Sequence, residues 1–158
     1  MKDLVNGLKK NCERGFNFLF RQIDEAPDAV WGSKGGNIYY WQHVYHAFYC
    51  AELFILQPGE TVDPGPGTAD IAMFHEFPDK PLSKDAVREY GKKKQAQVYA
   101  WVDSLEDADL AKKNEGNSAR RKMDVSNGAV IDSLGGHLMY HVGCNDTKLR
   151  ENGQEGVY

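Results

Sequence analysis

The chain has 158 residues, 41% of them hydrophobic, which suits one domain (1–158) with its own core. Charged residues make up 27% and the formal net charge is −4, so the chain lacks the basic footprint of a nucleic-acid binder or of a protein drawn to anionic membranes. The lysines at 92–94 and the cluster around Arg120 and Arg121 are local exceptions, read as a solvated helix face and a solvated loop.

The first helix is expected over 4–23, where Leu4, Leu8, Cys12, Phe16, Leu19 and Ile23 recur at helical spacing and Pro27 closes the run. "WGSKGG" punctuates the chain as a loop. The second helix, 37–56, is apolar on nearly every side and should be the most buried. A long connection rich in proline and glycine follows, of the kind that is functional or crosses from one side of a fold to another. Ser83 caps a third helix that reaches Leu105, with Val87, Tyr90, Lys94, Val98 and Trp101 on its inner stripe. A fourth helix spans about 126–152, with Gly153 suited to its C-terminal cap. The pattern predicts an all-α four-helix bundle with a long crossover loop between its second and third helices.

No targeting or membrane-spanning segment is read. Asp3 and Asn6 interrupt the N-terminus, and the apolar run "VYHAFYCAELFIL" is short and carries His46 and Glu52. Cys12, Cys50 and Cys144 form neither a CxxC pair nor an even framework, so reduced thiols in a cytoplasmic protein are expected.

Chemistry concentrates in "GGHLMYHVGCND". His137 and His141 lie four residues apart on one helical face, between Gly135, Gly136 and Gly143. Glycines there cost helix stability and suggest close helix approach or room for a ligand. Val130, Leu134 and Cys144 share the stripe, so the histidines face inward. Two hydrogen-bonded core histidines and two metal ligands both satisfy this pattern. "WQHVYHAF" brings His43 and His46 to the other strongly buried helix, and two helices presenting imidazoles inward suit a bundle metal site. Three neutral imidazoles with a fourth position open would suit zinc or a related divalent ion, and only one of His43 and His46 is needed.

"WQHVYH", "FPDKPLSKDAVREY" and "HLMYHVGCNDTKLRENG", in this order along essentially the whole chain, resemble the DinB/YfiT-like superfamily of metal-binding four-helix bundles. The resemblance places a metal-ligand triad on His46, His137 and His141, the spacing from Trp41 selecting His46 over His43. It implies a divalent ion, with zinc or nickel first and manganese or iron also accepted. It further implies a small-molecule substrate, a homodimer, and a transferase that joins a low-molecular-weight thiol to a small electrophile, in a detoxification or stress-response setting. A metal-dependent hydrolase with the same ligands, and a non-enzymatic protein with a structural metal, are the alternatives.

The neighbouring groups have two readings each. Cys144, one turn beyond His141, and Cys50, one turn beyond His46, are small buried hydrophobes or fourth ligands that would close the site. His75, beside Glu76, is an exposed loop histidine or an acid/base group folded over the site. Tyr45, Tyr49 and Tyr140 either pack or orient a ligand, and Glu52 and Asp132 are candidates to accept from imidazole N–H groups.

Overall fold

The computed structural model describes all of residues 1–158. The protein is mostly helical, with seven α-helices: α1 (Asp3–Glu25), α2 (Asp28–Trp31), α3 (Tyr40–Ile55), α4 (Ala69–Ala72), α5 (Lys84–Asp103), α6 (Glu115–Arg121) and α7 (Asn127–Glu151). The strands β1 (Lys34–Gly35) and β2 (Ile38–Tyr39) pair antiparallel in a minute hairpin before α3, turned by Gly36 at φ +62°. No helix is long and apolar enough to cross a membrane.

Side chains satisfy open N–H groups at the starts of α5, α6 and α7. Ser83 accepts from Ala86 N, Asn114 from Asn117 N and Ser126 from Ala129 N. The inner stripe of α1 runs Val5, Cys12, Phe16, Leu19 and Ile23, while Leu4 points to solvent. The sequence reading placed Leu4 inside; the turn begins one residue later in register. α3 is buried along nearly its whole length, as its apolar circumference demands.

Cross-helix contacts fix the directions. Cys12 Sγ donates to Ile131 O and Gln22 Nε2 to Val142 O, so α1 and α7 run parallel. Phe16 meets Tyr99 while Arg88 pairs with Asp24, so α1 and α5 run antiparallel. Tyr45 lies on Tyr90 and Glu52 on Lys94, making α3 and α5 parallel, and Asn145 Nδ2 donating to Tyr40 O sets α7 antiparallel to α3. Parallel successive helices require the intervening chain to cross back, which explains the long 56–83 connection. Two glycines permit close approach between the long helices. A Cβ on Gly15 would fall 2.6 Å from Leu138 Cβ, and one on Gly91 would fall 2.4 Å from the Phe48 ring.

Several sequence expectations change. The segment around Arg120 and Arg121 is a helix, α6, whose Asn114 cap is buried and invisible to hydrophobic periodicity. The lysine run is not uniformly solvated: Lys94, on the inner stripe drawn from the sequence, is fully buried, its ammonium bonded to Glu52 and lying 4.6 Å from the Tyr90 ring centroid. Of the three glycines near the histidines, only Gly135 serves close packing, against Asn11; Gly136 and Gly143 meet nothing.

Candidate metal centre

α3 and α7 present three imidazoles to one another. One nitrogen each from His46, His137 and His141 lies within 4.8 Å of the others, a group that could hold a metal ion. The antiparallel register set by Asn145 and Tyr40 puts His141 beside the first turns of α3 and His137 one turn further along it. His46 Nε2 stands 3.2 Å from His137 Nε2, and His141 Nε2 stands 3.3 Å from the same atom. Two nitrogens held about 2.0–2.1 Å from one ion at the tetrahedral angle are about 3.3–3.4 Å apart. The spacing therefore matches ligands around a common centre.

Proton bookkeeping points the same way. His46 Nδ1 is 2.6 Å from Ala72 O, and a carbonyl only accepts, so the neutral ring carries its proton on Nδ1 and leaves Nε2 bare. His141 Nδ1 is 2.9 Å from His43 Nδ1. A proton donated from His141 to His43 leaves His141 Nε2 bare as well. A single N–H on His137 Nε2 serves one of these nitrogens and leaves His46 Nε2 to the weak Cys50 thiol donor 3.5 Å away, whereas a cation serves all three. His137 Nδ1 is buried without a hydrogen-bond partner, so that ring is held by packing against Phe54, 5.6 Å away between centroids.

The surroundings keep the imidazoles neutral. Burial pushes His43 and His137 down to about 4, with the charge of His46 adding to the effect in both. His141 is pushed down to about 2, by burial first and then by His46, His137 and His43. Burial also lowers His46, against the opposing hydrogen bond to Ala72 O. Neutral imidazole is the form that offers a lone pair to a metal.

The long connection supplies the rest of the wall. α4 delivers Ala72 O, and Phe74 stacks on the His46 ring with centroids 4.3 Å apart. Phe74 has φ +61°, a left-handed conformation that bulky residues rarely adopt. No sequence signal singled out Phe74. His43, passed over in favour of His46, is the outer partner of His141, and the i, i+3 spacing on α3 was the signal for it.

The other candidates lie elsewhere. His75 is exposed, 3.5 Å from Asp70, and does not reach the imidazoles. Glu52 pairs with Lys94 and accepts from Gln97 and Asp63 N, so it orients no imidazole. Asp132 is exposed. Tyr45 donates to Pro64 O, and exposed Tyr140 sets its ring edge-on to His141 at 5.0 Å. All three cysteines are unpaired, and none joins the donor group. Cys50 Sγ lies 3.5 Å from His46 Nε2 but also 3.8 Å from Nδ1. A thiolate sharing an ion with Nε2 would sit about 5 Å from Nδ1, so Cys50 rests against the ring edge and the donor set stays at three. Comparison with family models, with curated proteins and with solved structures gives no match.

Proposed function

We propose that the chain is a DinB/YfiT-like four-helix bundle that binds one divalent metal through His46, His137 and His141 and joins a small thiol to an electrophile. The observation carrying this reading is the convergence of three buried or half-buried neutral imidazoles, one nitrogen of each within 4.8 Å of the others and at ligand-like spacing. Zinc or nickel suits a set of three neutral nitrogens, with manganese and iron as weaker alternatives. With no cysteine or carboxylate in the donor group, a coordination position is left for a ligand from solution.

A divalent ion in this position lowers the pKa of a thiol that binds it and holds the sulfur in place. The chain's own residues do the remainder. His43 and Ala72 O fix the orientation of His141 and His46, while Phe74 and Phe54 give the site apolar walls that exclude water. The sulfur bonds to the electrophilic carbon, the thiol proton leaves to solvent, and the leaving group departs with its electron pair. No carboxylate belongs to the donor group, and Glu52, the one carboxylate on α3, is tied to Lys94.

The test begins with elemental analysis of untagged protein purified without chelators, beside His137→Ala. About one equivalent of metal, lost in the variant, is expected. Absence of metal in both after supplying zinc, nickel or manganese would make the histidines core residues. Cobalt-loaded protein should then develop sulfur-to-metal absorbance with a small thiol. Ester hydrolysis without any thiol would move the assignment to a hydrolase.

A further inference from the structure

Of the cationic side chains from Lys112 to Lys122, two are neutralised and three, Arg120, Arg121 and Lys122, form no ion pair. Lys112 pairs with Asp109 and Lys113 with Asp124, and elsewhere Arg21, Arg88 and Arg150 all have carboxylate partners. Arg120 and Arg121, adjacent at the end of α6, have none. Arg120 is fixed in orientation by the carbonyls that end α3, with Nη2 2.6 Å from Leu53 O and Nη1 3.4 Å from Leu56 O. Arg121 lays its guanidinium over the Phe54 ring, 5.7 Å from the centroid. Partial burial, and then the charge of Arg121, hold the Arg120 pKa below its ordinary value. A counter-anion is the missing element of this arrangement.

A cavity of about 200 Å³ opens between the two arginines, lined by Leu53, Phe54, Asn117, Arg120 and Arg121. Leu53 and Arg120 also line a neighbouring cleft of about 440 Å³. Phe54 is the wall shared with the histidine group. One step of 5.7 Å leads from the Arg121 guanidinium to the Phe54 ring, and another of 5.6 Å leads on to the His137 ring.

We propose that Arg120 and Arg121 form an anion subsite beside the three histidines, taking a carboxylate carried by the small molecule that binds there. The proposal deepens, and in its bridging part rests on, the reading of the histidines as a metal site. A planar guanidinium can stack on an aromatic face and still offer its edge to a carboxylate in a two-bonded fork. The substrate class is therefore a small thiol or electrophile with a carboxylate several bonds from its reacting atom, its hydrocarbon part laid along Phe54.

Two arms test this. In metal-free protein, succinate titrated at constant ionic strength should shift the Arg121 Nε–H resonance saturably, and the effect should vanish with succinamide. In cobalt-loaded protein, 3-mercaptopropionate should bind about tenfold more tightly than 3-mercaptopropanol, read from sulfur-to-cobalt absorbance. Arg121→Gln, at an exposed position, should bring the two thiols to equal affinity while leaving cobalt uptake unchanged. No saturable shift with succinate, or equal thiol affinities in the wild type, would overturn the proposal. A protein that takes up no cobalt yet shifts Arg121 with succinate would refute the metal reading and retain the anion subsite.

Discussion

Metal-free protein should lose stability steeply between pH 7.5 and 5.5, and the histidine cluster sets how much. In the unfolded chain a histidine titrates near 6.5. In the folded protein burial holds His43 and His137 at about 4 and His141 at about 2. Between those values the unfolded state binds more protons than the folded one, so stability rises with pH and falls as pH drops below 6.5. At pH 5.5 each such histidine contributes a loss of about 1.4 kcal/mol, and the three together about 4 kcal/mol, a large part of a total that is typically 5–15 kcal/mol. The surface carboxylates Asp63 and Glu106 and the half-buried Asp109 have pKa values lowered by their hydrogen bonds to Lys93, the N-terminus and Lys112, and carboxylates protonate below this window. Urea denaturation in the presence of chelator at pH 7.5, 6.5 and 5.5 measures the drop. His43→Gln should shrink it by about one third, and a saturating divalent ion should move it to lower pH because the ion competes with protons for the same nitrogens. A loss of less than about 1 kcal/mol across the range would refute the burial of neutral imidazoles.

His43→Ala removes the acceptor behind His141 and should weaken metal affinity by about 10–100-fold, measured by competition with a chromophoric chelator. Glu52→Gln strands the fully buried Lys94 ammonium and should cost about 3–5 kcal/mol in urea denaturation. Adding Lys94→Met to Glu52→Gln should recover part of that loss, and strict additivity of the two changes would contradict the pairing. Gly116→Ala places a Cβ 1.9 Å from Leu56 O, so α6 must move off the end of α3; a cost of about 1–3 kcal/mol is expected, with a shifted Arg120 Nη resonance as its local signature.

The long helices and the three histidines were legible because both depend on spacing along one element. Hydrophobic recurrence found α1, α3, α5 and α7, Ser83 marked the start of α5 as its cap, and the start expected near 126 falls at the Ser126 cap of α7. The i, i+4 pair on α7 and the histidines on α3 needed only a helical period to be brought to one face each. What escaped depends on contacts between distant segments. The helical period places Lys94 on the inner stripe, but the partners that make a buried ammonium tolerable, Glu52 and Asp63 O, come from distant segments. α6 is held by a buried asparagine cap and by carbonyls of α3, and neither leaves an apolar period. Phe74 and Ala72 lie in a stretch whose proline and glycine content announces a loop without saying where that loop lands.

That landing decides the shape of the candidate site. The 56–83 connection is tied down before it reaches the imidazoles: Lys94 Nζ and Tyr90 Oη donate to Asp63 O, Tyr45 Oη donates to Pro64 O, and Gln42 Nε2 donates to Glu76 O. Gly65 and Gly67 allow the backbone to pass against the Tyr90 and Tyr45 rings, where a Cβ would fall within 2.4 Å and 2.7 Å of ring and hydroxyl atoms. With both flanks anchored, α4 arrives in position to accept the His46 Nδ1 proton, and Phe74 is forced onto the His46 ring despite its left-handed backbone. The buried Lys94–Glu52 pair anchors the start of this connection at Asp63 O, and Gln42 anchors its end. Loss of the Ala72 O contact would let His46 change tautomer and turn Nε2 from an acceptor into a donor that no metal can bind, and Gln42, which donates to Ile71 O and Glu76 O on either side of Ala72, stands directly against that loss.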